Sequence, residues 1–331
     1  MKEIFEKKLS SNKEIKKIFE RIFEIEEYQV DLVDPRAKEV FPQFLNQKIT
    51  IIRNKILKTE TIFNPKRGRR HLPKGGEIFR DEYDPFCNGE SKTIGDELGR
   101  IKNQSAEIVA NISKMAPFHS VLFFKKHELD DLTEKDFLQA LELANNWFER
   151  IKEKFQTKIG ILIWNFHYRA GASIYHPHFQ LLSYYHLPSK FENLIFLTEN
   201  YEQVYKTSYF DDLFQVLEFL GLAKKEKDFK IWLNLTPVKQ SEINFEGRLE
   251  KINGEIFWFY FQKLRRIGFQ SFNLLSLVFA PKLPNLTFLV DREEPSKITS
   301  DFGSLEVFMN SVVSYNPFDL AEQIFNNSKS A

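Results

Sequence analysis

The segment Gly171-Ala172-Ser173-Ile174-Tyr175-His176-Pro177-His178-Phe179-Gln180 sets two imidazoles and an amide at alternate positions behind a small-residue loop. Side chains of a strand alternate between its faces, so a strand here would carry His176, His178 and Gln180 on one face. Such a face can hold a phosphoryl group. One imidazole attacks phosphorus, the other is tied down as orienter or metal ligand, and the amide donates to a non-bridging oxygen. The flanks support a strand pair, because Lys158 to Trp164 and Phe179 to Tyr185 are short apolar runs separated by a connector containing Gly, Ala and Ser. Gly171 and Ala172 leave room for backbone to approach a phosphate, and Ser173 adds a hydroxyl.

A neutral imidazole is a good nucleophile near neutrality because its ordinary pKa is about 6.5. Its other nitrogen must be hydrogen-bonded so that the attacking one keeps its lone pair. Cations are then needed for the phosphate charge. Candidates are Lys66, Arg67, Arg69 and Arg70 in the loop Asn64-Pro65-Lys66-Arg67-Gly68-Arg69-Arg70-His71, and Arg169 beside the small-residue loop.

Gly-x-Ser-x-x-His-Pro-His-x-Gln resembles the active-site signature of the galactose-1-phosphate uridylyltransferase branch of the histidine triad superfamily. The resemblance implies that His178 is the nucleophile of a covalent nucleotidyl-histidine and that Gln180 contacts the transferred phosphate. It implies that Asn165 and Ser173 help bind that phosphate, and Asn111 joins them as an expected contact. It also implies a two-step exchange with ping-pong kinetics and a nucleotide or nucleotide-sugar substrate. In this branch glutamine replaces the third histidine of the hydrolytic relatives. An amide holds phosphate without delivering a proton, which favours transfer to a phosphate acceptor over water.

The same branch often carries Cys-Pro-x-Cys upstream, and here Asp84-Pro85-Phe86-Cys87 stands in that place with a carboxylate at the first position. The resemblance implies that Asp84, Cys87, His127 and His176 are the ligands of a zinc ion. One carboxylate, one thiolate and two imidazoles suffice for a tetrahedral site, and four protein ligands leave no open position, so such a zinc would be structural. If the site has decayed, the lone cysteine is a small buried thiol.

Composition fits a soluble cytoplasmic enzyme. Lys+Arg 47 against Asp+Glu 46 gives a formal net charge of +1, so no basic nucleic-acid surface is expected, and one cysteine excludes an intramolecular disulfide. No apolar run approaches the roughly 20 residues of a membrane helix. The 34 phenylalanines make the core aromatic.

The chain reads as α+β, with an antiparallel sheet and helices in two histidine triad-like units and an N-terminal helical arm. Residues 1–30 repeat Ile and Phe at helical spacing, and 1–59 comprise the arm and first strand. Residues 60–190 form the catalytic unit, including a strand over 117–124 and a helix from Thr133, as N-cap, to about Phe155. Residues 191–331 repeat the plan in degenerate form: a strand over 228–237, a helix over 254–266, and strands over 272–281 and 285–291. The 272–281 strand is read as the counterpart of the uridylyltransferase's second His-x-His, with Leu275 and Leu277 in those positions. Val307 to Val313 resembles the family's sugar-binding stretch, with Val312-Val313 in place of a Tyr-Glu pair that would bind sugar hydroxyls. Nucleotidyl exchange between a nucleotide sugar and a sugar phosphate is the first reading. A phosphorylase passing the nucleotidyl group to phosphate is the second, and a fold that binds without catalysis is the third. The family's shared active sites imply a homodimer.

Overall fold

Strand order reveals a duplicated plan. In the computed structural model, which describes residues 1–69, 84–87, 89–297 and 300–326, ten strands form one sheet. They are β4 (Ile101–Lys102), β5 (Ala106–Ala110), β6 (Phe118–Phe124), β7 (Ile159–Phe166), β8 (His178–Tyr184), β9 (Ala223–Glu226), β10 (Phe229–Leu233), β11 (Ile243–Glu246), β12 (Phe272–Phe279) and β13 (Leu286–Asp291). Their order is β4-β5-β6-β8-β7-β12-β13-β11-β10-β9. Read inward from either edge, the two halves match: β9 corresponds to β4, β10 to β5, β11 to β6, β13 to β8 and β12 to β7. The halves meet at an antiparallel β7:β12 ladder in which Asn165 lies opposite Asn273.

Alternation along β6 shows how the sheet divides its two faces. Leu122 and Phe124 join the main core, whereas Val121 and Phe123 belong to a smaller apolar cluster with Val109 and Phe86. On the core face lie α3 (Glu134–Phe155) and α6 (Lys251–Arg266), the crossover helices of the two halves. Phe137 of α3 packs on Phe257 and Trp258 of α6, and Trp164 of β7 packs on Phe261, so rings tie both helices to the sheet. The α3 helix starts where the sequence indicates. Thr133 caps the Asp136 N–H and Asp136 accepts from the Thr133 N–H, a reciprocal capping box.

The N-terminal segment departs from the helical arm expected over residues 1–30. Helices α1 (Lys2–Leu9) and α2 (Lys13–Ile22) are followed by a strand, β1 (Phe23–Val30), which pairs with β2 (Gln47–Asn54). Beyond Ile22 the apolar period changes from helical spacing to alternation around Ile25, and the segment pairs with β2 along its whole length. β3 (Thr59–Phe63) and the C-terminal β14 (Ser311–Val313), which runs parallel to it, complete a four-stranded sheet β1-β2-β3-β14. This sheet docks on the second half through Thr61 Oγ1, which donates to the Pro237 carbonyl at 2.9 Å. It is also tied to α5 (Tyr209–Leu220), which follows α4 (Ser189–Tyr205), through Asn54 Nδ2 and the Tyr209 hydroxyl at 2.8 Å.

The second half also requires a correction. The counterpart of the histidine-bearing β8 is β13, not the 272–281 strand assigned from sequence, because β12 takes the central position that β7 holds in the first half. β13 reads Leu-Thr-Phe-Leu-Val-Asp and carries no imidazole. Among the described residues, no helix is long and apolar enough to cross a membrane.

Candidate active site

The β8 strand begins at His178 rather than at His176. Pro177 has no N–H to donate to a ladder, so pairing starts after it, and His176 sits in the preceding turn. That turn, not strand alternation, aims the His176 ring. Its Nε2 donates to the Phe124 carbonyl at 2.6 Å, and its Nδ1 lies 2.9 Å from Asp84 Oδ2.

His178 is buried. Its Nδ1 donates to the backbone carbonyl of His176 at 2.7 Å, so Nε2 carries the lone pair and makes no hydrogen bond among the described residues. Burial pushes the His178 pKa below its ordinary value, outweighing the carbonyl contact that favours the charged ring. A neutral imidazole with one nitrogen fixed and the other bare meets the requirement for attack on phosphorus. The Phe86 ring lies against both imidazoles, with centroids 5.6 Å from His176 and 5.4 Å from His178.

Two residues further along β8, Gln180 lies opposite Val121 on one side and Ile163 on the other. Its Oε1 is 3.0 Å from Nε2 of His119, a fully buried histidine on β6. Asn111 approaches the same nitrogen, with its Nδ2 3.0 Å from His119 Nε2, and its Oδ1 accepts from the Ser113 N–H. Sequence reading missed His119, although its alternation with Val121 and Phe123 on a strand next to β8 places it on the histidine face.

Asn165 is the penultimate residue of β7, and its Oδ1 accepts from Asn273 Nδ2 at 2.7 Å across the central ladder. The same Asn273 amide reaches the Ala170 carbonyl, and its Oδ1 accepts from Arg292. The connector to β8 contains a short helical turn, Tyr168–Ala170, ended by Gly171 at φ 81°, a left-handed conformation that glycine adopts without strain. Gly171 and Ser173 are exposed in this loop.

Arg169 is directed into the 292–297 segment, where it donates to the carbonyls of Arg292 at 2.5 Å and Lys297 at 2.7 Å and pairs with Glu293 at 3.1 Å. These contacts use donors that the sequence reading assigned to phosphate. Lys66 bonds the Leu45 carbonyl. Arg67 lines a cavity of about 580 Å³, together with Arg169, Lys239 and Asp291, between the four-stranded sheet and the second half. Arg70 lies outside the described residues.

The four expected metal ligands converge. Asp84 Oδ2 lies 2.9 Å from His176 Nδ1 and 3.0 Å from both His127 Nδ1 and Cys87 Sγ. Cys87 Sγ is 3.4 Å from His127 Nδ1 and 3.8 Å from His176 Nδ1, and all four donor atoms lie within 4.8 Å of one another. A tetrahedral zinc with ligands at about 2.0–2.3 Å needs donors about 3.3–3.7 Å apart, so the set fits the ion with a slight contraction around the carboxylate. Asp84 serves twice, because Oδ1 accepts the Phe86 and Cys87 N–H groups and holds the turn while Oδ2 faces the cluster. Burial raises its pKa, but hydrogen bonds from Cys87, His176 and the Phe86 N–H outweigh burial and hold the carboxyl well below the usual range. The hydrogen bond to Asp84 pushes the Cys87 thiol up to about 11, with burial adding to the rise.

The fold defined by these elements is shared with solved structures of an ADP-glucose phosphorylase and of uridylyltransferases. An ADP-glucose phosphorylase from Arabidopsis thaliana, solved with bound ADP-glucose, superposes with a TM-score of 0.62 over 84% of this chain and 98% of its own, at 14% identity. A GALT-like protein from the same plant gives 0.60 over 79% of this chain and 100% of its own, also at 14% identity. A uridylyltransferase gives 0.58 over 82% and 96%, at 12% identity. No family model matches the sequence, and no curated protein sequence matches it significantly.

Proposed function

We propose that this chain is a nucleotidyltransferase working through a covalent nucleotidyl-histidine on Nε2 of His178. The carrying observation is the arrangement at that ring: Nδ1 bonded to the His176 carbonyl, a bare Nε2, and burial that keeps the imidazole neutral. In the first step Nε2 attacks the α-phosphorus of a bound nucleotide, and the bond from phosphorus to the leaving phosphate breaks. Gln180 donates its amide to a non-bridging oxygen as charge develops there. In the second step an acceptor phosphate oxygen attacks the same phosphorus and releases His178. Asn165, Ser173 and the Gly171 turn would meet the phosphate. The substrate is a nucleotide or nucleotide sugar and the first acceptor reading is a sugar phosphate, with the site completed in a homodimer. Zinc held by Asp84, Cys87, His127 and His176 would be structural, fixing the turn before β8 and through it the carbonyl that orients His178.

A second reading, transfer to inorganic phosphate as in a phosphorylase, is favoured by Val312 and Val313. Val313 is buried opposite Phe63 in the β3:β14 pair, and neither valine can hydrogen-bond sugar hydroxyls. Incubation with labelled UDP-glucose, ADP-glucose, GDP-glucose and diadenosine tetraphosphate separates the readings. Acid-labile label on the wild type and none on His178→Ala supports the covalent mechanism, and the donor identifies the base. Release of label by phosphate rather than by hexose 1-phosphate selects the phosphorylase. No label from any donor overturns both readings and leaves a nucleotide-binding fold.

A further inference from the structure

We infer that His119 is a positioning residue, which fixes the amide of Gln180 with its NH2 toward the reacting phosphoryl group. The inference rests on the transferase reading above.

Asparagine and glutamine amides present an acceptor on one side and donors on the other. A glutamine that binds a phosphoryl oxygen must present the donors, and an amide free to rotate by 180° would present its oxygen half the time and repel the phosphate. Something must therefore hold Oε1. His119 Nε2 lies 3.0 Å from Gln180 Oε1. Which nitrogen of His119 carries the proton is decided by the backbone, because the Met115 N–H donates to Nδ1 at 3.0 Å. A nitrogen that accepts has no proton, so in the neutral ring the proton is on Nε2 and points to Gln180 Oε1. Burial holds the ring neutral by lowering its pKa, while the Gln180 contact acts in the opposite direction. Asn111 Nδ2 also approaches Nε2 at 3.0 Å, but its orientation is fixed by the Ser113 N–H on Oδ1, so in this tautomer it adds no bond.

With Oε1 occupied, the amide nitrogen of Gln180 makes no hydrogen bond among the described residues and is the group left for phosphate. His119 is fully buried. It acts through Gln180 alone, which distinguishes it from a residue that merely fills the interior.

The test is a double-mutant cycle read by single-turnover labelling of His178. His119→Phe keeps an aromatic ring without a donor and should slow labelling about 10–100-fold, as loss of an outer partner does elsewhere. KM for the nucleotide should change far less. His119→Gln, which restores an N–H, should recover part of the rate. In a Gln180→Ala background, His119→Phe should cost nothing further. Losses that multiply, or labelling by His119→Phe at the wild-type rate, would overturn the assignment. Ring tautomer provides a check independent of catalysis, because ¹⁵N correlation spectra of the wild type should show His119 bare at Nδ1 and protonated at Nε2. A proton on Nδ1 would overturn it regardless of activity. Failure of the wild type to label from any nucleotide would instead overturn the transferase reading, with the tautomer still deciding the His119 contact.

Discussion

The backbone carbonyl of His176 accepts the Nδ1–H of His178 at 2.7 Å, while the ring of the same His176 faces Asp84 and Cys87. One residue thus connects the proposed metal corner to the proposed nucleophile. Cys87→Ala, which removes no substrate contact, should therefore slow covalent labelling of His178 about 10-fold or more. Single-turnover labelling checks this, and an unchanged rate would separate the two sites.

Metal content and its pH dependence follow from the donor set. Protein purified with zinc should hold about one ion per chain, and Cys87→Ala or His127→Ala should lose it. Because the Cys87 thiol is pushed up to about 11, an entering ion must displace a proton, so affinity should fall as pH falls. Asp84→Cys should bind about tenfold or more tightly, since thiolate is the softer ligand. Cobalt substitution reports both effects through thiolate charge-transfer absorption, without any activity assay.

Asp291 provides a stability signature. Burial pushes its carboxyl up to about 7 against the hydrogen bond from the Glu293 N–H, with the Glu293 carboxylate adding to the rise and Lys297 and Arg169 opposing it. The folded chain thus holds a proton that the unfolded chain releases near pH 4, and stability falls as pH rises from about 4 to 7. Asp291→Asn removes that dependence. The variant should match wild type near pH 4 and exceed it by on the order of 2–3 kcal/mol at pH 8, measured by urea unfolding.

Gly160 on β7 has no room for a methyl group. A Cβ there would stand 2.4 Å from Phe279 Cε1 and 2.8 Å from Phe148 Cδ1, both ring atoms in packed positions. Gly160→Ala should cost about 1–3 kcal/mol and Gly160→Val more, by thermal or urea unfolding. An alanine variant as stable as the parent would mean that the two rings yield freely.

The opposite sign of pH dependence is expected at the start of α3. Burial raises the Asp136 pKa, but hydrogen bonds from Lys126, Thr133 and Ser105 outweigh it and leave the carboxyl depressed. Its contribution is present above the ordinary carboxylate pKa and lost as pH falls below about 4. Asp136→Ala should cost about 1–2 kcal/mol at pH 7, and the gap from wild type should narrow toward pH 2.

Local chemistry was legible in the sequence wherever one segment decides it. The α3 boundary follows from Thr133 and Asp136 alone, and the β7 to β8 pair follows from two apolar runs and a small-residue connector. The convergence of Asp84, Cys87, His127 and His176 was accessible because a known signature links residues distant in the chain. Residues whose roles depend on register were harder. His119 acquires its meaning from β6 lying beside β8, and the counterpart of β8 could not be told from its neighbour before strand order was known. Arg169 looked like a phosphate ligand because it adjoins the loop, yet the carbonyls that hold it come from residues more than a hundred positions away. The β1 strand escaped notice because its partner decides it, and that partner begins only at Gln47.

The β7:β12 ladder has a consequence for folding and handling. Without β12, β7 would be a bare edge carrying Ile159, Ile161 and Ile163, the kind of surface that recruits other strands into aggregates. A second half without imidazoles is thus not idle, because it acts as the lid on an otherwise adhesive edge. Cutting the chain between its halves should yield insoluble protein rather than a smaller enzyme.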